Sequence, residues 1–246
     1  MAFLCLNAGG WSTSSINYKT SSDEGRTWSV ARTLIISPFF NVSHLLKGTP
    51  IFFEDGSLGL PIYSEFIDRG AKLLRINSKG EIIDLQRLSW NGQGLQPVIV
   101  PMTSQSAYVF MRQKKDSLQK MFMNYTEDGG EHWNHFSTSP VANPDSAVAA
   151  VKVNDKTILI AFNNTSGDRS DLSLAVFNTS QNSFCVMPFK SDSTKQLTYG
   201  YPYFMKFDNQ YFLSYTSGNI KTKLNISLIT FNNTWLESQW KNCTPY

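Results

Sequence analysis

Two carboxylates stand in one repeated setting. Asp23 lies in Ser21-Ser22-Asp23-Glu24-Gly25-Arg26-Thr27-Trp28, and Asp128 lies in Thr126-Glu127-Asp128-Gly129-Gly130-Glu131-His132-Trp133. Both fit Ser/Thr-x-Asp-x-Gly-x-x-Trp. A carboxylate can do acid–base chemistry, but this spacing describes a hairpin turn. Asp accepts from backbone N–H groups two residues on, Gly takes positive φ, and Trp packs back under the turn, burying a large apolar face. A structural role is therefore expected for both Asp residues. His132 and His135 form H-x-x-H beside the second copy; in a turn and strand this is not a metal pair at helical spacing, and no metal is expected. His44 stands alone, so no His-based triad is visible. Cys5, Cys185 and Cys243 lie far apart with no C-x-x-C, an odd, sparse set that argues against a disulfide framework and against zinc. In Tyr63-Ser64-Glu65-Phe66, strand alternation puts Tyr63 and Glu65 on one side. They offer a phenol and a carboxylate together, or simply a charged edge residue.

The setting for these groups is a chain of 246 residues and 27.8 kDa, 41% apolar and 17% charged. That is less charge than the roughly 25% of an average globular chain. Aromatic residues make up 13%, which excludes a disordered chain. A net charge of +3, with no basic run longer than Lys114-Lys115, excludes a nucleic-acid surface. No apolar stretch is long enough to span a membrane. The opening Met1-Ala2-Phe3-Leu4-Cys5-Leu6 lacks a basic n-region and a full h-region, so no signal peptide is expected. The compartment stays open: cytoplasmic by default, secreted or periplasmic if an upstream segment is missing. Glycosylation sequons are frequent, for example at Asn41, Asn163 and Asn225. Without a signal they are expected to be ordinary Asn-rich turns.

The Asp pattern belongs to a longer repeat. Weaker echoes occur at Ile76-Asn77-Ser78-Lys79-Gly80, at Asn178-Thr179-Ser180-Gln181-Asn182, and at Asn232-Asn233-Thr234-Trp235. With Gly or its Asn replacement as marker, positions 25, 80, 130, 182 and 233 are 55, 50, 52 and 51 residues apart. Between markers run short β-branched and aromatic segments bounded by Gly, Asn, Asp or Pro, such as 107–111, 120–124, 157–162, 172–177, 210–215 and 225–231. No segment shows a sustained helical period. Three to four strands per repeat of this length is the pattern of a propeller blade. The expectation is an all-β propeller of four-stranded blades, about five of them, with residues 1–246 as a single domain whose opening blade is incomplete.

These repeats resemble the Asp-box (BNR) repeats of the sialidase superfamily, closest to bacterial sialidase-like proteins built as six-bladed propellers. The resemblance covers nearly the whole chain. It is carried also by Gly9-Gly10-Trp11, Ser37-Pro38-Phe39-Phe40-Asn41-Val42-Ser43, Leu60-Pro61-Ile62-Tyr63-Ser64-Glu65-Phe66 and Leu95-Gln96-Pro97-Val98. It implies a site for a sugar carboxylate, which Arg forks suit best. Arg112, ending Tyr108-Val109-Phe110-Met111-Arg112, resembles the family's second Arg, and Arg169 resembles the third. The plain alternative is two surface Arg residues at strand ends. In Tyr199-Gly200-Tyr201-Pro202-Tyr203, Tyr201 occupies the position of the family's Tyr nucleophile, an exception to the two-carboxylate scheme. It is otherwise a core aromatic at the start of a Tyr-rich strand.

Three departures accompany the resemblance. Gln96 stands where many sialidases have the Glu that assists Tyr, and an amide cannot take that proton. In the family the first Arg and the Asp acid/base lie in the opening blade, which is expected to be incomplete in this chain. Glu65 is the best local substitute for a carboxylate, with Tyr63 beside it toward sugar hydroxyls. Asp145 sits at a blade entrance and is a further candidate. Trp11 and Trp90 either stack on sugar rings or plug their loops. The resemblance thus implies a sialidase-like glycoside hydrolase acting on terminal sialic acid or a related acidic sugar, without cofactor. The alternatives are a non-catalytic glycan-binding or scaffolding propeller, or a polysaccharide lyase on a similar propeller.

Overall fold

The computed structural model describes residues 2–7, 10–66, 68–89, 93–113, 119–134 and 137–246, with side chains from Ser12 onward. The Trp11 side chain, Trp90 and His135 lie outside the described residues. The fold class is all-β, of the β-propeller type, and five antiparallel sheets follow one another along the chain. The first holds β1 (Ala2–Asn7), β2 (Gly10–Tyr18) and β3 (Arg32–Thr33). The second orders β4 (Leu45–Leu46), β6 (Leu58–Ser64), β7 (Gly70–Ile76) and β8 (Ile82–Arg87), with β5 (Ile51–Phe52) also on β6. The third is β9 (Gly94–Pro101), β10 (Ala107–Gln113), β11 (Lys120–Thr126) and β12 (Ser137–Ala142). The fourth is β13 (Ala149–Asn154), β14 (Thr157–Phe162), β15 (Asp171–Asn178) and β16 (Ser183–Ser191). The fifth is β17 (Thr198–Phe207), β18 (Gln210–Asn219) and β19 (Lys223–Asn232), after which α1 (Asn233–Trp240) leads to β20 (Thr244–Pro245). β20 returns to the outer edge of the fourth sheet beside β16.

Two compact units divide the chain at Pro97/Val98. In the second unit, two apolar layers explain why the sheets stack. β14 is buried at every position, the signature of a strand covered on both faces. Ile158, Ile160 and Phe162 face one layer with Val98, Val100, Phe110, Phe177 and Phe184. Leu159 and Ala161 face the other, with Leu174, Tyr211, Leu213, Phe231 and Leu236. The two layers seat the fourth sheet between the third and the fifth. In the first unit, Ile16, Leu34, Leu60, Ile62 and Leu74 join the first sheet to the second.

The repeated Asp motif forms the expected turn twice, with matching bonds. Asp23 Oδ1 accepts from Thr27 N at 2.9 Å and from Ser21 Oγ at 2.8 Å, while Gly25 N donates to Ser21 Oγ at 2.8 Å. Asp128 Oδ1 accepts from His132 N at 2.9 Å and from Thr126 Oγ1 at 2.8 Å, while Gly130 N donates to Thr126 Oγ1 at 3.1 Å. These bonds to the ionised form hold Asp23 at about 2, with the Thr27 hydroxyl the largest cause, and hold Asp128 lower still through the His132 backbone amide. His132 itself is the second Asp128 partner, through Nδ1 at 2.7 Å.

The structure corrects three expectations. Trp28 does pack back on its turn, against Gly25 and donating Nε1–H to Gly25 O at 3.0 Å, but it is not buried there and stays 44% exposed. The last echo is not a hairpin turn but a helix start, Asn232 capping α1 by accepting from Trp235 N at 2.9 Å. The eight-residue helix escaped detection because its apolar residues are too few to show a period. Lastly, Cys185 and Cys243 form a disulfide, with Cα atoms 5.4 Å apart and 58 residues between them in sequence. The return of β20 to β16 makes this pairing, and sequence spacing contains no sign of it.

Candidate functional site

Among the described residues, ten non-glycine positions have positive φ, and four of them recur along the chain. Ser43, Gln96, Asp145 and Tyr201 all have positive φ, between 49° and 60°. Ser43 and Asp145 precede β4 and β13, Gln96 and Tyr201 lie within β9 and β17, and the four recur at blade-like intervals. For non-glycine residues this region is costly, and a bulky side chain there is a genuine outlier. Such strain is of order 1–3 kcal/mol per residue and gathers at functional sites. Three of these four residues are among the site candidates read from the sequence.

In the second unit, Arg112, Asp145, Arg169 and Tyr201 come together. Arg112, at the end of β10, lies 3.4 Å from Asp145 Oδ1 through its Nε, and its side chain is only 12% exposed. Arg169 donates from Nη2 to the backbone carbonyl of Asp145 at 2.9 Å. Its guanidinium also lies 5.5 Å from the centre of the Tyr201 ring, within cation–π range. Asp145 therefore holds one Arg by its carboxylate and the other by its main chain. The left-handed conformation at Asp145 turns both acceptors toward the two cations. Tyr201 sits in a register shift between Gly200 and Tyr203 where β17 pairs with β18. The bulge throws its ring outward, 53% exposed, so the core-aromatic reading does not describe it. Gly200 lies against Arg169, whose Nη1 would stand in ordinary contact, 3.7 Å, with a Cβ at that position.

The Arg169 loop, between β14 and β15, is braced at both ends. Asp171 accepts the amide of Asn164 on both oxygens, at 3.1 and 3.0 Å, and Ser173 Oγ at 2.9 Å. Asn163 is fully buried and donates Nδ2 to the carbonyls of Asp171 and Tyr199. Tyr199 N in turn donates to Arg169 O at 2.8 Å. Asp168 is held at about 2, chiefly by Lys195, 2.8 Å away, and by Ser170. Burial pushes Asp171 up from the usual carboxylate range, against the bonds it accepts. Reading by motif missed Asn163, Asp168 and Asp171. The only available signal was the density of Asn, Ser and Asp between two apolar strands.

In the first unit, Tyr63 and Gln96 are both buried, and Gln96 Nε2 donates to the Tyr63 hydroxyl at 3.1 Å. Tyr63 also packs with Leu45 and Leu95. Glu65 falls in the bend beyond the end of β6, so strand alternation does not govern it; its amide donates to Ser43 Oγ at 3.2 Å. Phe66 N donates to the same hydroxyl at 3.0 Å. The second left-handed residue of this unit thereby fixes the backbone that carries Glu65.

His44, next to Ser43, is buried, and neither ring nitrogen has a hydrogen-bond partner among the described residues. Burial, helped by the Lys72 charge and opposed by Asp68, lowers it from 6.5 to about 4. The folded state thus holds His44 neutral where the unfolded chain protonates it. Stability is expected to be level above pH 6.5 and to fall as pH drops from about 6.5 to 4, by on the order of 3 kcal/mol. Urea unfolding at pH 7 and pH 4.5 checks this. His44→Gln should flatten the profile in that window, and an equal slope in both proteins would refute the assignment.

Comparison with known proteins follows the same lines as the geometry. The BNR repeat-like domain matches residues 1–213. No curated protein sequence matches the chain. Among solved structures, the NanB sialidase of Streptococcus pneumoniae is similar over 90% of this chain and 36% of its own, with 15% identity and a TM-score of 0.72. A leech intramolecular trans-sialidase, complexed with 2,7-anhydro-Neu5Ac, is similar over 93% of this chain and 37% of its own, with 16% identity and a TM-score of 0.72. Trypanosoma rangeli sialidase in complex with the inhibitor DANA is similar over 97% and 43%, with 12% identity and a TM-score of 0.64. The chain spans well under half the length of these proteins, and the likeness is one of fold.

Proposed function

Because this chain belongs to the BNR repeat-like domain family, we propose that it recognises the carboxylate of a terminal acidic sugar, sialic acid first, in a sialidase-like glycoside hydrolase site. The observation that carries this reading is the convergence of Arg112 and Arg169 on Asp145 with Tyr201 alongside. Asp145 engages Arg112 by its carboxylate and Arg169 by its main-chain oxygen, which brings both guanidinium groups to one residue. A sugar carboxylate placed between them receives charge-assisted bonds from two preformed forks. The exposed Tyr201 ring offers a wall beside the sugar. Residues 1–246 are taken here as part of one propeller domain.

In the hydrolytic form of this reading, Tyr201 attacks the anomeric carbon and a base takes its proton. Among the described residues no carboxylate bonds Tyr201, and an amide such as that of Gln96 could not take its proton. That favours a second reading, a glycan-binding propeller without turnover. Glu65, Tyr63 and Gln96, all within the first unit, are proposed as sugar contacts of that unit, Glu65 as its carboxylate.

A planar, dehydrated sialic-acid analogue tests the proposal, because such compounds resemble the oxocarbenium-like transition state and bind better than substrate. The expected result is a rise in unfolding temperature with the analogue that disappears in Arg112→Ala. Turnover of an aryl sialoside, lost in Tyr201→Phe, supports the hydrolase; binding without turnover supports the glycan-binding form. No binding by the folded chain overturns both.

A further inference from the structure

Eight Asn-x-Ser/Thr sequons lie in this chain, at Asn41, Asn124, Asn163, Asn164, Asn178, Asn225, Asn232 and Asn242. The 19 Asn and 47 Ser and Thr in 246 residues would place fewer than half as many by chance. The sequon is an acceptor only in a secreted context. The Cys185–Cys243 disulfide supplies that context, because such bonds persist in oxidising compartments and are rare where thiols are kept reduced. The disulfide and the sequon excess are independent observations that point to the same place. One sequon, Asn242-Cys243-Thr244, contains the disulfide cysteine itself.

We propose that this protein is N-glycosylated at Asn178, Asn225, Asn232 and Asn242, and left bare at its other four sequons. The sugar is attached through Nδ2, so a site must present that atom to solvent in the folded chain. Asn225, Asn232 and Asn242 are exposed. Asn232 uses only its side-chain oxygen to cap α1. Asn178 ends β15 half-buried, with its oxygen accepting from Ser180 N at 3.0 Å and Gln181 N at 3.1 Å. This Asx turn points Nδ2 away from the backbone it caps.

The other four are closed for particular reasons. Asn41 spends Nδ2 on Leu34 O at 2.8 Å. Asn163 spends it on Asp171 O and Tyr199 O, fully buried. Asn124 is buried. Asn164, half-buried, has its oxygen on Ala142 N at 3.3 Å, like Asn178 on its turn. Its backbone amide, however, is also clamped by both Asp171 oxygens next to buried Asn163, so a glycan there would strain the Arg169 loop. A glycan at Asn41 or Asn163 would remove bonds that hold the Leu34 turn or the Arg169 loop.

The donor is a polyprenyl-diphosphate-linked oligosaccharide. The Asn Nδ2 displaces the diphosphate at the anomeric carbon: an N–C1 bond forms, the C1–O bond breaks, the electron pair leaves with the lipid diphosphate, and one amide proton is released. Asn178 stands at the end of β15 away from Asp171 and the Arg169 loop, roughly 23 Å along the strand. Sugar at Asn178 therefore leaves the Arg cluster open. On β19, the edge strand of the fifth sheet, Asn225 lies between exposed Leu224 and Ile226, and a glycan there shields an edge otherwise open to strand pairing.

The test is secretion of the full chain from a glycosylating eukaryotic cell, followed by peptide mass mapping before and after enzymatic removal of N-glycans. The enzyme converts each occupied Asn to Asp, so every site reports separately without a variant. Expected are Asp at 178, 225, 232 and 242 and unchanged Asn at 41, 124, 163 and 164. In the fourfold Asn→Gln variant, the enzyme should no longer change the protein's mobility. Secreted, disulfide-bonded protein without any conversion overturns the proposal, and so does occupancy at Asn124 or Asn163 in the folded fraction.

Discussion

Arg169→Ala is expected to abolish binding of the dehydrated sialic-acid analogue while the protein remains folded. Removing one partner of a buried, hydrogen-bonded charge pair costs about 2–5 kcal/mol, a loss of at least roughly 30-fold in affinity. The scaffold should survive because Arg169 sits on a loop held by other residues. Asp171 clamps Asn164, and Asn163 ties the loop to Tyr199. What the variant loses structurally is one bond to Asp145 O and the contact with the Tyr201 ring. Arg169→Lys is the sharper comparison. A lysine keeps the charge but lacks the planar fork, so affinity should stay well below that of the parent chain. Titration calorimetry of the three proteins decides the matter. Unchanged affinity in Arg169→Ala, with an unchanged unfolding temperature, would remove Arg169 from the site and the acidic-sugar reading with it.

The second large effect concerns stability. Cys185→Ser, or reduction of the Cys185–Cys243 bond, is expected to cost about 4 kcal/mol on the chain-entropy account of a loop this long, roughly a 10 °C fall in unfolding temperature for a domain of this size. The loop spans 58 residues and encloses the entire fifth sheet together with α1. Without the bond, β20 is held to β16 by only a short ladder, with Phe184 and Tyr246 exchanging amide bonds at 3.2 and 2.8 Å. Thermal unfolding with and without reductant measures the loss. Hydrogen exchange should show residues 242–246 opening first, while β14 stays protected between its two apolar layers. Identical unfolding in both redox states would mean that the unfolded chain is already constrained in this region.

Much of the architecture was legible because local chemistry dictates it. The Asp motif encodes its own turn: Asp23 and Asp128 bind the amides four residues on in the same geometry. The strand runs follow from side-chain types, as in β14, where an unbroken apolar segment announces cover on both faces. The repeat interval then implies blades, since each repeat is one sheet that must stack to bury its faces. The short α1 was not legible, since its start mimics the turn motif while Asn232 in fact caps a helix.

The members of the proposed site can be named from the sequence, but their arrangement cannot. Arg112, Asp145, Arg169 and Tyr201 were each named from residue type and phrase. That Asp145 divides its two oxygen acceptors between the two Arg residues depends on contacts across three sheets. No local rule reports such contacts. The same holds for the left-handed backbone at Gln96 and Tyr201, because these residue types ordinarily avoid that conformation and only the surrounding fold can impose it. It holds again for the disulfide, made by the chain's last strand returning to a sheet begun almost a hundred residues earlier. Sequence by itself determined the turns, the strands and their repetition, which are settled by neighbours along the chain. Tertiary structure alone decided which cations gather on one aspartate, which asparagines keep a free amide and which cysteines meet, because each of these is settled by residues that packing brings together from far apart.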